Sequence, residues 1–475
     1  MVVGELALER DLVIIGGGPA GYTAAIRAAQ LGKEVTLIEK ELLGGICLNK
    51  GCIPSKVLSH VSAKYNEISK FKSYGIEVSE VSHNFKATKE YMRKTVENLR
   101  KGVEFLCKEN KIEVIKGSAS FMTEERIGVE NRDQFDIYKY RSVLIASGAA
   151  IQKDGFKQER ILNARTLYDL PELPEELIVY GNDYIAIEAA FSYRNLGANV
   201  TVVLEKGLTE LDAAIEKELH RLLKKAKIQV KKNMSLESEE ETACGIQAVF
   251  RDAAGGEAIL EGSHLYIQSG LRPALEDLGA DRIGLELDDE GFISVDSECR
   301  TSLPGIWAAG DITGGSQLAV KAIKQGKTAA ESIAGMKPEC DLTLLPKVIH
   351  SNPPIAAAGL TEEEAILLGH NVKTGQFSLA GNGFTAIKSE KDGLMKVVSD
   401  ADTDLILGIH MMGQGAVELI SSGVTAMEMA AREEDLKFPL YPHPSMNEAL
   451  LEAVEALTGQ AIHQVPKKTP AAMTK

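Results

Sequence analysis

Residues 44–56 read GGICLNKGCIPSK, a glycine-flanked loop in which Cys47 and Cys52 stand five apart. That spacing lets the two sulfurs close a small ring. Pro54 suits the first turn of a helix continuing through KVLSHVSAKYNEI, and a thiolate at that start gains from the positive helix end and from Lys56. The pair reads as a redox disulfide. The other cysteines, at 107, 244, 299 and 340, are scattered, and an isolated cysteine reads first as a small buried apolar residue. No CxxC pair or neighbouring His gives zinc spacing, so no metal is expected. Near the other end, His443 precedes Ser445-Met446-Asn447-Glu448, which has capping-box spacing. Taken alone, this is as much a capped helix beside a surface His as a catalytic pair. An imidazole oriented by a carboxylate would serve as a proton-transfer base near neutral pH.

These residues need elements to hold them. Residues 11–39 read as one βαβ unit: the strand Leu12-Val13-Ile14-Ile15, the turn GGGPAG, an Ala-rich helix, and the strand Val35-Thr36-Leu37-Ile38 ending in Glu39. Gly16, Gly18 and Gly21 have GxGxxG spacing directly after a strand and at a helix start, the context in which backbone approaches a pyrophosphate. Glu39 is placed to accept from a ribose hydroxyl. The pattern returns as the strand Leu177–Tyr180, the turn GNDYIA beginning at Gly181, a helix, and the strand Val200–Val203. Two such units imply two dinucleotides, or one dinucleotide and the relic of a second site. Between them, 57–110 reads as charged helix and 112–145 as short strands. The run Val143–Ile145 stops at Ala146-Ser147-Gly148, and Ile306–Ala309 leads through Gly310 to Asp311, a carboxylate at a strand's C-terminal end. From Pro346 onward the style changes to alternating strands, at 394–398 and 405–410, followed by helices around 414–431 and 445–458.

The whole composition is that of a soluble globular chain. Its 475 residues suggest roughly three domains, with 44% apolar and 25% charged residues. A net charge of −15 and the lack of a basic cluster argue against nucleic acid and anionic membrane as partners. The first ten residues lack a basic region followed by an apolar core, and no apolar run approaches the roughly 18 residues of a membrane helix. A cytoplasmic location is expected.

The motifs GGGPAG, GGICLNKGCIPSK, IASG, GLRP (270–273), GIWAAGD and HPSMNE together resemble the FAD-dependent pyridine-nucleotide disulfide oxidoreductases over nearly the whole chain. The resemblance implies two Rossmann-like dinucleotide-binding domains plus a C-terminal α+β dimer-interface domain. The expected divisions are 1–148 for the first part of the FAD domain, 149–273 for an NAD-binding-like domain, 274–345 for completion of the FAD domain, 346–464 for the interface domain, and 465–475 for a disordered tail. It implies that Gly16, Gly18, Gly21, Glu39, Gly45, Lys56, Ser147, Gly148 and Asp311 surround FAD, and that Gly181 and Gly270 belong to the NAD side. Cys52 would face the flavin, Cys47 the thiol substrate, and Lys56 would pair with Glu188. His443, oriented by Glu448, would act as base at the disulfide of a partner subunit in a homodimer. The substrate would be a dithiol of lipoyl type, free or on a lipoyl domain.

The second turn departs from this pattern. Asp183 takes the position of the middle glycine, where a side chain intrudes on a pyrophosphate and a carboxylate repels it. Glu205 follows Leu204 and so comes one residue late for the ribose, on the opposite face of the strand. Further departures are Ile46, Val320, Ile323 and Tyr441. The expectation is a working flavin and disulfide centre with weak use of NAD. Three readings follow: a thiol–disulfide oxidoreductase with another electron acceptor, an NAD-dependent member serving a 2-oxo-acid dehydrogenase complex, and a low-turnover flavoprotein scaffold or redox sensor.

Overall fold

The computed structural model describes residues 7–132, 134–151, 159–208 and 211–465, so the tail expected over 465–475 lies, from 466 onward, outside the described residues. Strand β1 (Leu8–Ile15) ends in four consecutive buried apolar residues, as a parallel strand covered on both faces requires. Leu12 and Ile14 pack against alanines of α1 (Pro19–Gln30), whereas Val13 and Ile15 point the other way, toward Phe121 and Ile127. The chain continues through β2 (Val35–Glu39), α2 (Gly45–Asn49), α3 (Cys52–Glu67) and α4 (Phe85–Glu109). Next come β3 (Glu113–Lys116), β4 (Ser118–Thr123), β5 (Arg126–Asn131) and β6 (Gln134–Ile145). The sheet order is β3-β2-β1-β6-β5-β4, parallel from β3 to β6 and antiparallel beyond.

The chain leaves this sheet through β7 (Ala149–Ile151) and enters a second unit comprising β8 (Ile161–Leu162), β9 (Glu176–Tyr180), α5 (Tyr184–Leu196), β10 (Asn199–Leu204), α6 (Ala213–Lys225) and β11 (Gln229–Lys232). An antiparallel meander, β12 (Met234–Glu241), β13 (Ile246–Asp252) and β14 (Glu257–Gly262), leads into β15 (His264–Ile267). The parallel order is β11-β10-β9-β15-β8. The chain exits through β16 (Leu271–Pro273), which pairs with β7. It then returns to the first sheet, where β17 (Ile306–Ala308) lies beside β6 and α7 (Ala319–Ile333) packs on α1. A Cβ at Gly326 would stand 2.4 Å from the carbonyl oxygen of Ala20, so glycine permits that helix approach.

The third unit is the antiparallel sheet β18 (Lys347–Ile349), β19 (Ile355–Gly359), β20 (Val372–Ser378), β21 (Leu394–Asp400) and β22 (Ile406–Met412), ordered β18-β19-β22-β21-β20. Its core packs Ile409 and Met411 against α8 (Ala416–Glu428) and α9 (Asn447–Glu455). Lys396 on β21 reaches 2.8 Å to Asp212, the residue that caps α6, and both are buried, so this contact ties the third unit to the second. Large exposed apolar side chains gather in this unit, among them Phe438 (89%) and Leu440 (99%). No helix among the described residues is long and apolar enough to cross a membrane.

Candidate active site

Cys47 lies in the one-turn helix α2, and Cys52 is the first residue of α3. The two are disulfide-bonded, with Cα atoms 4.7 Å apart. At the start of α3 the sulfur of Cys52 stands among the unsatisfied N–H groups of the first turn, the field that favours a thiolate once the bridge is reduced. One turn on, the Lys56 ammonium donates to both carboxylate oxygens of Glu188 at 2.8 and 2.9 Å. Glu188, on α5, is 1% exposed, and its Oε1 also accepts from the backbone N–H of His350 at 2.8 Å. Such a carboxylate is tolerable in the interior because its lone pairs are used. The Lys56 Nζ also lies 5.7 Å from the centre of the Tyr184 ring, which fixes the lysine's direction.

The first glycine turn brings three elements into close contact. Gly16 has φ +101°, and a Cβ on Gly21 would stand 1.8 Å from the Gly16 carbonyl oxygen. Gly45, with φ +59°, lies against Gly18, where a Cβ would meet the Gly18 Cα at 2.7 Å. The N-terminus of α1 has no side-chain cap. Glu39 Oε2 accepts from Gly17 N at 2.7 Å, and a cavity of about 650 Å³ lined by Glu41, Leu43 and Ile112 opens beside it. At the end of β6 the hydroxyl of Ser147 is buried with no hydrogen-bond partner, next to Gly148, which faces open space with φ +76°. Asp311 follows β17, and burial raises its carboxyl while the neighbouring Lys321 ammonium opposes the shift. Lys321 is itself buried and donates to the carbonyls of Gly310 and Gly314. An orphaned hydroxyl, an uncapped helix start and a side-chain-free cradle together fit a bound dinucleotide such as FAD.

The second turn sits in the same strand register but is filled differently. Gln268 Oε1 accepts from Asn182 N at 2.7 Å and from Asp183 N at 3.2 Å. Asp183 Oδ1 accepts from Ala186 N at 2.8 Å and caps α5. The carboxylate therefore turns back onto its own helix, and burial raises it to about 6 against the pull of the amides. Leu204 ends β10, buried, where Glu39 ends β2, and Glu205 accepts from the Tyr180 hydroxyl at 2.8 Å. Gly181 is held close to Gln268, whereas Gly270 has open space around it.

His443 and Glu448 do come together, with Nδ1 2.7 Å from Oε1. Glu448 Oε2 accepts from Ser445 N at 2.8 Å, but the Ser445 hydroxyl has no partner, so only half of the capping box forms and the other carboxylate oxygen is left to the imidazole. The His443 side chain is 81% exposed, and no hydrogen bond or ion pair among the described residues links it to Cys47 or Cys52. Of the scattered cysteines, Cys299 and Cys340 lie near enough to shift each other, the Cys340 thiol downward and the Cys299 thiol upward, while the Cys299 thiol donates to the Gln325 carbonyl at 3.6 Å. Single-residue reading had no signal for that pairing, which the fold creates between the approach to β17 and the segment after α7. His350, Tyr184, Lys321 and Gln268 were likewise not singled out. Gln268 had a signal, since IASG at 145–148 recurs as IQSG at 267–270.

A family profile described as pyridine nucleotide-disulphide oxidoreductase matches residues 10–326, and that family's dimerisation domain matches 345–454. The dihydrolipoyl dehydrogenases of Geobacillus stearothermophilus and Bacillus subtilis are 36% and 37% identical to the chain, each match covering 98% of it and 100% of the relative. Among solved structures, LpdA from Mycobacterium tuberculosis aligns with a TM-score of 0.87 at 27% identity, covering 94% of this chain and 99% of that one. The HOCl-induced flavoprotein disulfide reductase RclA from Escherichia coli aligns at 0.84 and 25% identity with the same coverage.

Proposed function

The chain belongs to the pyridine nucleotide-disulphide oxidoreductase family as an FAD-dependent thiol–disulfide oxidoreductase, and we propose that it oxidises a small dithiol of lipoyl type through Cys47 and Cys52. The observation that carries this reading is the disulfide at the helix start, one turn from a lysine held by the buried Glu188. One substrate thiolate attacks the Cys47 sulfur, the Cys47–Cys52 bond breaks, and Cys52 leaves as a thiolate stabilised by the α3 N-terminus. The second substrate thiol gives its proton to His443 of the partner subunit and attacks the mixed disulfide. Cys47 then departs, the substrate leaves as a disulfide, and two electrons stay on the protein sulfurs. Glu448 holds the imidazole through Nδ1, leaving Nε2 to take the proton. Gly16, Gly18, Gly21, Gly45, Glu39, Ser147 and Asp311 would hold FAD, which when bound would supply a two-electron acceptor for the reduced pair. Lys56, fixed by Glu188, keeps a positive charge on that side.

Because no hydrogen bond or ion pair among the described residues links His443 to its own chain's disulfide, two copies paired through the dimerisation domain would make each site complete. The exposed Phe438 and Leu440, a few residues before it in the chain, suit such pairing. Anaerobic titration of the flavin-loaded protein with dihydrolipoamide tests the reading. The expected result is flavin reduction together with the long-wavelength absorbance of a thiolate beside oxidised flavin. Cys52→Ser should retain flavin and lose both signals, and an unchanged response in that variant would refute the assignment.

A further inference from the structure

The two nucleotide units are related residue by residue. Ile15 pairs with Ile38 and Ile145, and Tyr180 pairs in the same way with Val203 and Ile267. The turns follow suit: Gly16 N donates to the Ile38 carbonyl as Gly181 N does to that of Val203, and Ala146 N donates to Ile15 as Gln268 N does to Tyr180. Gly17 therefore matches Asn182, Gly18 matches Asp183, Gly21 matches Ala186, Glu39 matches Leu204 and Ala146 matches Gln268.

Against this internal reference the second turn differs in a coordinated way. In the first unit, Glu39 takes Gly17 N, Ala146 has no group able to accept, and the helix start keeps its amides free of side-chain caps. In the second, Leu204 cannot accept, and the carboxamide of Gln268 reaches across to take Asn182 N and Asp183 N. Asp183 then takes Ala186 N, and Tyr180 holds Glu205. The amide at the second turn position is taken in both units, so the difference lies at Asp183 N and Ala186 N, which a neutral oxygen and a carboxylate of the chain itself already satisfy. Gly181 fits the same scheme, because a Cβ there would stand 2.7 Å from both Cβ and Oε1 of Gln268.

We propose that Gln268 and Asp183 are internal occupants of the dinucleotide phosphate seat, and that they weaken the affinity of this chain for NAD. The nucleotide must displace both side chains before it binds, and its apparent affinity falls by the fraction of molecules in which they have moved aside. The strand register of the seat is kept, and Ser269, like Ser147 in the first unit, has a buried hydroxyl with no partner. At the phosphate position the block therefore lies in two side chains rather than in the backbone. From the family reading, the inference takes only the expectation that this unit would seat a pyridine nucleotide.

The test installs the first unit's residues at the matching positions. NADH binding to the flavin-loaded protein is measured by nucleotide fluorescence, with NAD followed by ligand-observed NMR. The Gln268→Ala, Asp183→Gly double variant should bind at least about tenfold more tightly than the parent, with Gln268→Glu, which keeps the acceptor and adds charge, binding no better. Flavin absorbance and thermal melting identify folded variants, and the Gln268→Ala single variant substitutes if the double one fails. A gain below tenfold in the folded double variant overturns the proposal, as does a Gln268→Glu variant that binds more tightly than the parent. Since the readout is binding, failure of dithiol to reduce the flavin would sink the catalytic reading and leave this one standing.

Discussion

Asp183 stands at the middle-glycine position of the second turn, directly before α5. In the fold it is first a helix cap, whose carboxyl rises from an ordinary 3.8 to about 6, mainly through burial, with Glu188 adding to the rise and backbone amides opposing it. The folded chain therefore holds this proton at pH values where the unfolded chain has released it. Stability must fall as pH rises through that window, and stay lower above it. Asp183→Asn keeps an acceptor for Ala186 N without the ionisation. Its advantage over the parent in denaturant unfolding should be absent near pH 4 and grow to on the order of 2 kcal/mol by pH 7, whereas a pH-independent difference would mean that the carboxylate is well solvated.

At the scale of elements, the flavin seat depends on the close approach of α2 to the start of α1. Gly45 is where that contact is tightest and where the backbone is left-handed, so a methyl group there is penalised twice. Gly45→Ala should purify with less than half the flavin content of the parent, measured as the ratio of flavin to protein absorbance, and full occupancy would show that α2 can retreat without loss. Much of this architecture was legible beforehand. The apolar runs ending at Ile15 and Tyr180, the glycine turns and the strand leading to Asp311 are local signals with a local physical cause. What was not legible depends on residues distant in the chain. Nothing near Glu188 announces the His350 amide, nothing near Cys299 announces Cys340, and the role of Gln268 emerges only when the two units are laid in register. The incomplete capping box at Ser445 is the converse case, a local pattern half overridden because Glu448 also serves His443.

For the whole molecule, the proposed assignment of His443 as the partner subunit's base would make assembly a condition of turnover. Phe438→Asp combined with Leu440→Asp should shift the protein toward monomer in sedimentation velocity and cut dithiol oxidation by at least about tenfold while flavin stays bound, because a charge buried at an interface disfavours association. Unchanged turnover by a demonstrated monomer would place the base elsewhere. The position of Glu188 also bears on the chain's history and on its engineering. This carboxylate belongs to the second nucleotide unit, yet it grips a lysine of the first and a backbone amide of the third. A module whose phosphate seat its own side chains fill can thus remain indispensable as a keystone. Excising it, or grafting in a counterpart from a relative, would succeed only if the replacement delivers a carboxylate to that same junction.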